Sequence, residues 1–153
     1  MELGAAVTVD MTATPEQVWA VVSDVTRIGE LSPETFEAEW LGGATGPELG
    51  ATFRGHVNRS GSGVKYWTTC RVTSCDPGRS FGFDVQGPGG GVLNTWTYEI
   101  VPSAAGSSVA ESFLLSDRPG TRFYWKLTGK RRAQTNVRGM TQTLNRVKAL
   151  VDA

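Results

Sequence analysis

The stretch SFGFDVQGPGGGVLNTWTYEIVPSAAGSSVAESFLL, residues 80–115, decides the fold. Three runs rich in Phe, Val, Thr, Trp and Tyr are separated by two short breaks of Gly, Pro, Ser and Ala, the pattern of strands joined as hairpins. In residues 80–86, Phe81, Phe83 and Val85 share one face and Asp84 takes the other. In residues 94–100 the inward set is Asn94, Trp96, Tyr98 and Ile100, because the alternative set is Thr95, Thr97 and Glu99. In the last run Val109, Phe113 and Leu115 share parity with Glu111, which places a carboxyl among apolar side chains. Closing the hairpin with Val101 against Ser108 sets Tyr98 opposite Glu111, with Cβ atoms ~5 Å apart.

Working toward the N-terminus, residues 35–41, 52–59 and 64–74 read as three further strands, with turns at 42–50, 60–63 and 76–78. Short connections make neighbours antiparallel. Leu3, Ala5, Val7 and Val9 alternate through a first strand, residues 3–10. Thr14 then offers an N-cap hydroxyl before Pro15, with Val18, Trp19, Val22 and Val25 at helical spacing, so a helix is expected over 15–25. A second short helix is expected over 27–31, stopped by Pro33. Beyond Pro119-Gly120, the residues Ala133, Val137, Met140, Leu144, Val147 and Val151 form one stripe of a long helix that must pack on the sheet. Phe123 and Leu127 are out of phase with that stripe, which predicts a kink or change of register near Gly129.

With 153 residues, 39% hydrophobic and 20% charged, the chain is expected to be one globular domain spanning 1–153. No apolar run approaches the ~20 residues needed to cross a bilayer, and the first ten residues lack the pattern of a secretory signal, so a cytoplasmic protein without stable membrane insertion is expected. Cys70 and Cys75 lack the spacing of a zinc or redox pair and are expected as free thiols. Formal charge is balanced, but residues 1–48 carry nine acids and one base, whereas residues 118–148 carry nine bases and no acid. The simplest reading of the basic helix is a solvated face balanced by the acidic half, with no nucleic-acid partner.

Further stretches carry a resemblance. They are Thr14-Pro15-Glu16-Gln17-Val18-Trp19 with Ser23-Asp24, Leu31-Ser32-Pro33, Gly50-Ala51-Thr52-Phe53-Arg54-Gly55, Asp76-Pro77-Gly78 followed by Phe81 and Phe83, Trp96-Thr97-Tyr98, Glu111-Ser112-Phe113, and Gly139-Met140 with Thr143-Leu144. In this order the chain resembles the START-like helix-grip superfamily, in its polyketide cyclase/dehydrase and lipid-transport branch, often labelled SRPBCC. The resemblance implies an α+β fold: a curved seven-stranded antiparallel sheet around a long C-terminal helix, with two short helices between strands 1 and 2. It also implies a cavity between sheet and helix for lipids, polyketides or other hydrophobic molecules. It does not imply an enzyme, since relatives either transform or merely carry their ligands.

The expected ligand-facing set is Phe81, Phe83, Asn94, Trp96, Tyr98, Glu111 and Phe113 on the sheet, with Asn136 and Met140 on the helix. Glu111 is the most informative, because a buried carboxylate is costly unless it is protonated or hydrogen-bonded. With Tyr98 it could orient a ligand hydroxyl or carbonyl, or serve as a catalytic pair; a structural role, satisfying a buried backbone or Arg group, fits equally. His56 alternates with Phe53, Gly55 and Val57 and is expected to face solvent, uninvolved. There is no phosphate-binding loop, no HExxH and no His cluster, so neither metal nor other cofactor is expected. The expected partner is a small hydrophobic molecule, and the chain a monomer or homodimer.

Overall fold

The structure, a computed structural model, describes residues 3–58 and 63–152. Seven strands, β1 (Gly4–Met11), β2 (Thr35–Trp40), β3 (Thr52–Asn58), β4 (Lys65–Asp76), β5 (Ser80–Gln86), β6 (Val92–Ser103) and β7 (Gly106–Leu115), form one curved antiparallel sheet in the order β1-β7-β6-β5-β4-β3-β2. Arg59, the expected end of the third strand, and most of the turn expected at 60–63 lie outside the described residues. Register irregularities occur between β2 and β3, between β4 and β5, and between β5 and β6. Such bulges bend the strands that carry them and help the sheet to wrap.

Between β1 and β2 lie α1 (Pro15–Val22), a 3-10 turn at Val25–Arg27, and α2 (Ile28–Leu31). The expected helix over 15–25 therefore stops three residues early, and Asp24 caps the 3-10 turn by accepting from Thr26 N at 3.1 Å. The start of α1 is a full capping box: Thr14 Oγ1 accepts from Gln17 N at 3.2 Å and Gln17 Oε1 from Thr14 N at 2.9 Å. Trp19 Nε1 donates to Ser80 O at 2.8 Å and fastens α1 to the sheet.

The last helix, α3 (Pro119–Val151), runs as one uninterrupted helix through Gly129, where a kink or change of register was expected. The phase mismatch has another cause. Phe123 and Leu127 face solvent, and the buried residue of the first turns is Trp125. Val137 is a second correction: it was expected on the inward stripe but is 37% exposed, and Asn136 takes the buried position instead. The far end of α3 is tied back to the sheet, where Asp152 accepts from Thr12 N and Ala13 N at 3.0 and 3.1 Å.

Two apolar clusters form the interior. The larger joins α1, the middle strands and the end of α3 through Val18, Phe81, Val109, Leu144 and Val147; the smaller gathers Leu3, Phe113, Leu115, Trp125 and Met140. The space between them is not filled.

Candidate functional site

Strand alternation directs the side chains of β3 to β7 toward α3, and a cavity of about 490 Å³ remains between them. Residues from both clusters form its walls: Phe83, Val85 and Tyr98 from the larger, Phe113, Trp125 and Met140 from the smaller. Its aromatic lining is mutually packed, with Trp96 and Phe113 centroids 5.2 Å apart, Phe113 and Trp125 5.6 Å, and Phe53 and Phe83 5.0 Å at 77°.

Of the residues expected to face a ligand, Phe83, Asn94, Trp96, Tyr98, Glu111, Phe113, Asn136 and Met140 line this cavity. Phe81 does not. It points inward as its parity requires, but it is fully buried in the larger cluster, packed against Phe83 at 6.1 Å, where side chains close the space completely. The lining also includes residues that periodicity did not single out. Ile28, Ser32, Pro33, Glu34 and Thr35 approach from the α2–β2 segment, Tyr66, Thr68 and Cys70 from β4, and Trp125 from α3.

The cavity lining mixes its aromatic and aliphatic side chains with polar ones, and three of these hold a buried oxygen without a partner among the described residues. Tyr98 and Glu111 are direct cross-strand partners in the β6–β7 ladder, and both are buried. Burial pushes the Glu111 carboxyl up from an ordinary 4.5 to about 8, a rise that the Tyr98 hydroxyl partly opposes by favouring the charged form. Burial first, then the neighbouring Glu111, holds the Tyr98 phenol well above its usual range. Glu111 Oε1, Asn94 Oδ1 and Asn136 Oδ1 are buried without a hydrogen-bond partner among the described residues. Buried polar atoms are nearly always paired, which makes three unpaired oxygens on residues lining one cavity an unusual concentration.

At the rim, Arg132 Nη2 donates to Glu34 Oε1 at 3.1 Å, a half-buried ion pair linking α3 to the segment before β2. His56 lies outside the cavity, although it is less exposed than its parity suggested: its ring stacks on Trp67 at 4.1 Å and contacts Phe36 at 4.4 Å. Cys70 and Cys75 are free thiols, and burial raises the Cys70 thiol to about 12. No cluster of His, Cys, Asp and Glu able to hold a metal occurs among the described residues.

The architecture recurs in solved structures. Protein CV1439 from Chromobacterium violaceum superposes with a TM-score of 0.71 at 17% identity, covering 98% of each chain. The polyketide-cyclase-like protein Cgl2372 from Corynebacterium glutamicum is 27% identical, with a TM-score of 0.65 over 98% of this chain and 91% of its own. The di-domain aromatase/cyclase StfQ of the steffimycin biosynthetic pathway gives 0.73 at 14% identity, over 97% of this chain and 50% of its own. Among curated proteins no sequence matches. The family model described as polyketide cyclase/dehydrase and lipid transport matches residues 3–152. With the curved sheet, the gripped helix and the match over nearly the whole chain in agreement, the protein belongs to the polyketide cyclase/dehydrase and lipid transport family.

Proposed function

We propose that the protein binds and carries a small, mainly apolar molecule in this cavity, oriented by Asn94, Glu111 and Asn136. The observation that carries the reading is one cavity, walled by aromatic side chains, whose lining includes three residues with buried, unpaired oxygens among the described residues. An occupant with a few polar groups would satisfy them, while the aromatic lining covers its apolar surface. The volume lies in the ~300–1,000 Å³ range of small-molecule sites. Family membership does not choose between carriage and chemistry, because the family's description joins the two. Native mass spectrometry of the freshly purified chain tests the proposal. An added mass of a few hundred daltons that dissociates on activation is expected, and the bare chain mass from several expression hosts would overturn it.

One observation favours a second reading, a cyclase/dehydrase-type enzyme. A carboxyl held at about 8 exchanges its proton near neutrality, and it stands opposite a phenol able to polarise a carbonyl. In that reading the cavity folds the chain of a polyketide into a reactive conformer, Glu111 moves the proton and Tyr98 steadies the developing oxyanion. Turnover of an activated polyketide by the wild type and not by Glu111→Ala would establish it; binding without turnover in either leaves carriage.

A further inference from the structure

The first turns of α3 present to solvent a surface that the cavity does not explain. Phe123 and Leu127, one turn apart, are 65% and 68% exposed. Lys126, Lys130 and Arg131 are exposed beside them. Arg122 is engaged by Asp117, but no ion pair among the described residues involves Lys126, Lys130 or Arg131, and no acid occurs from Arg118 to Lys148. Trp125 and Gly129, on the same turns, are buried, so Phe123 and Leu127 lie on the side away from the core.

Position gives the pattern its meaning. Tyr124, from these same turns, lines the cavity and is 39% exposed; Tyr66 and Leu93 also line it and are 40% and 42% exposed. Side chains that both line the space and meet solvent mark its mouth. The Arg118 guanidinium donates to Val92 O at 2.7 Å, so the start of α3 is held against the strand that carries Leu93. The exposed apolar pair and its cations therefore stand beside the opening.

We propose that this end of the molecule docks reversibly on an anionic lipid surface. Phe123 and Leu127 enter the acyl boundary, and Lys126, Lys130 and Arg131 meet the headgroup phosphates. A helix with basic and apolar side chains interleaved lies in the interface plane, where apolar burial and attraction to anionic lipid add. Among the described residues no helix is long and apolar enough to cross a membrane, and the contact proposed is one at the lipid surface. A fluid interface suits this surface better than an acidic protein would. The apolar pair projects from the solvent-facing side of α3, and two of the three cations are lysines, point charges on flexible stems that impose no fixed hydrogen-bond geometry. The use of such docking, passage of a hydrophobic ligand between lipid and cavity, rests on the function proposed above; the docking itself does not.

Flotation of the full chain with vesicles of phosphatidylcholine, alone or mixed with phosphatidylglycerol, tests the proposal. Association is expected with the mixed vesicles only and should weaken as salt rises. The Phe123→Ser/Leu127→Ser variant should lose at least about tenfold in partition. The Lys130→Gln/Arg131→Gln variant should lose about fivefold per charge removed. Failure of the wild type to float at low salt overturns the proposal, as does flotation of the serine variant at the wild-type level. Salt-sensitive binding to polyglutamate without binding to vesicles would also overturn it and assign the surface to an acidic protein. Nile red fluorescence from the cavity should be the same in all these proteins, because the changed side chains are exposed. Absence of dye binding in the wild type would count against the carrier reading and leave the flotation result standing.

Discussion

The indole of Trp125 lies over Gly129, one turn further along α3, so closely that a Cβ on Gly129 would stand 2.6 Å from the ring. Glycine at 129 therefore seats the indole, which in turn packs on Phe113 and forms part of the cavity wall. In Gly129→Ala the added methyl gains helix propensity worth ~1 kcal/mol, while overpacking a buried ring costs ~1–3 kcal/mol. A lower Tm is expected, with the indole displaced toward the cavity, so that in a series of apolar dyes of increasing size the largest are lost first. A higher Tm with unchanged dye selectivity would show that the ring has room elsewhere.

Glu111 gives the cavity a pH signature. With its folded value raised from 4.5 to about 8, the folded state holds more protons than the unfolded chain between those limits. Its favourable contribution is thus complete below 4.5 and is lost as pH climbs toward about 8, beyond which a buried charge remains. Glu111→Gln lacks that charge. Its stability advantage over the wild type should be small below 4.5, widen with rising pH and level off above about 8, reaching on the order of a few kcal/mol. Denaturant titrations across this interval check it, and parallel curves for the two proteins would contradict the burial argument.

His56 should be irrelevant to the cavity and modestly useful to the fold. Its ring is stacked at 14° on Trp67 and lies 2.8 Å from Glu37 Oε1, on the face of β3 opposite Phe53 and Gly55. Substitution by Ala removes the stack on Trp67, worth ~0.5–1.5 kcal/mol, together with the Phe36 ring contact and the exposed link to Glu37. A small drop in Tm with unaltered dye affinity is expected; a change in affinity comparable to that of a cavity variant would refute the assignment of His56 to the outer face.

The residues that the sequence made legible are those on regular strands. Two-residue periodicity turned Glu111 inward, and the short β6–β7 connection fixed its register against Tyr98. Phe81 has the right parity and still misses the cavity, because parity says which face a side chain takes and not where along the strand the opposing layer leaves space. On α3 the difficulty was chemical. The inward face carries Gly129, Asn136 and Thr143 alongside Trp125, so the apolar stripe, right at Ala133, Met140, Leu144, Val147 and Val151, misses these polar and small positions and wrongly includes Val137. Ile28 from α2, Glu34 from the connection before β2 and Tyr66 from β4 reach the cavity through the packing of elements distant in sequence, which no local pattern encodes.

Asn136 offers the sharpest separation between a structural and a ligand-directed role. It is 3% exposed on the buried face of α3, and its Oδ1 is buried without a partner among the described residues; leaving a buried amide oxygen unpaired costs ~1–3 kcal/mol. Leucine has similar bulk and nothing to satisfy. If the amide serves an occupant, Asn136→Leu should raise the stability of the ligand-free chain by ~1–3 kcal/mol and weaken ligand binding in the same protein. If instead the amide were needed for the fold, the same change would lower stability. Thermal melts of the protein stripped of small molecules, paired with titration of whatever molecule co-purifies with the wild type, read both signs at once. A gain in Tm together with a loss of affinity is the outcome expected of a side chain kept for its ligand.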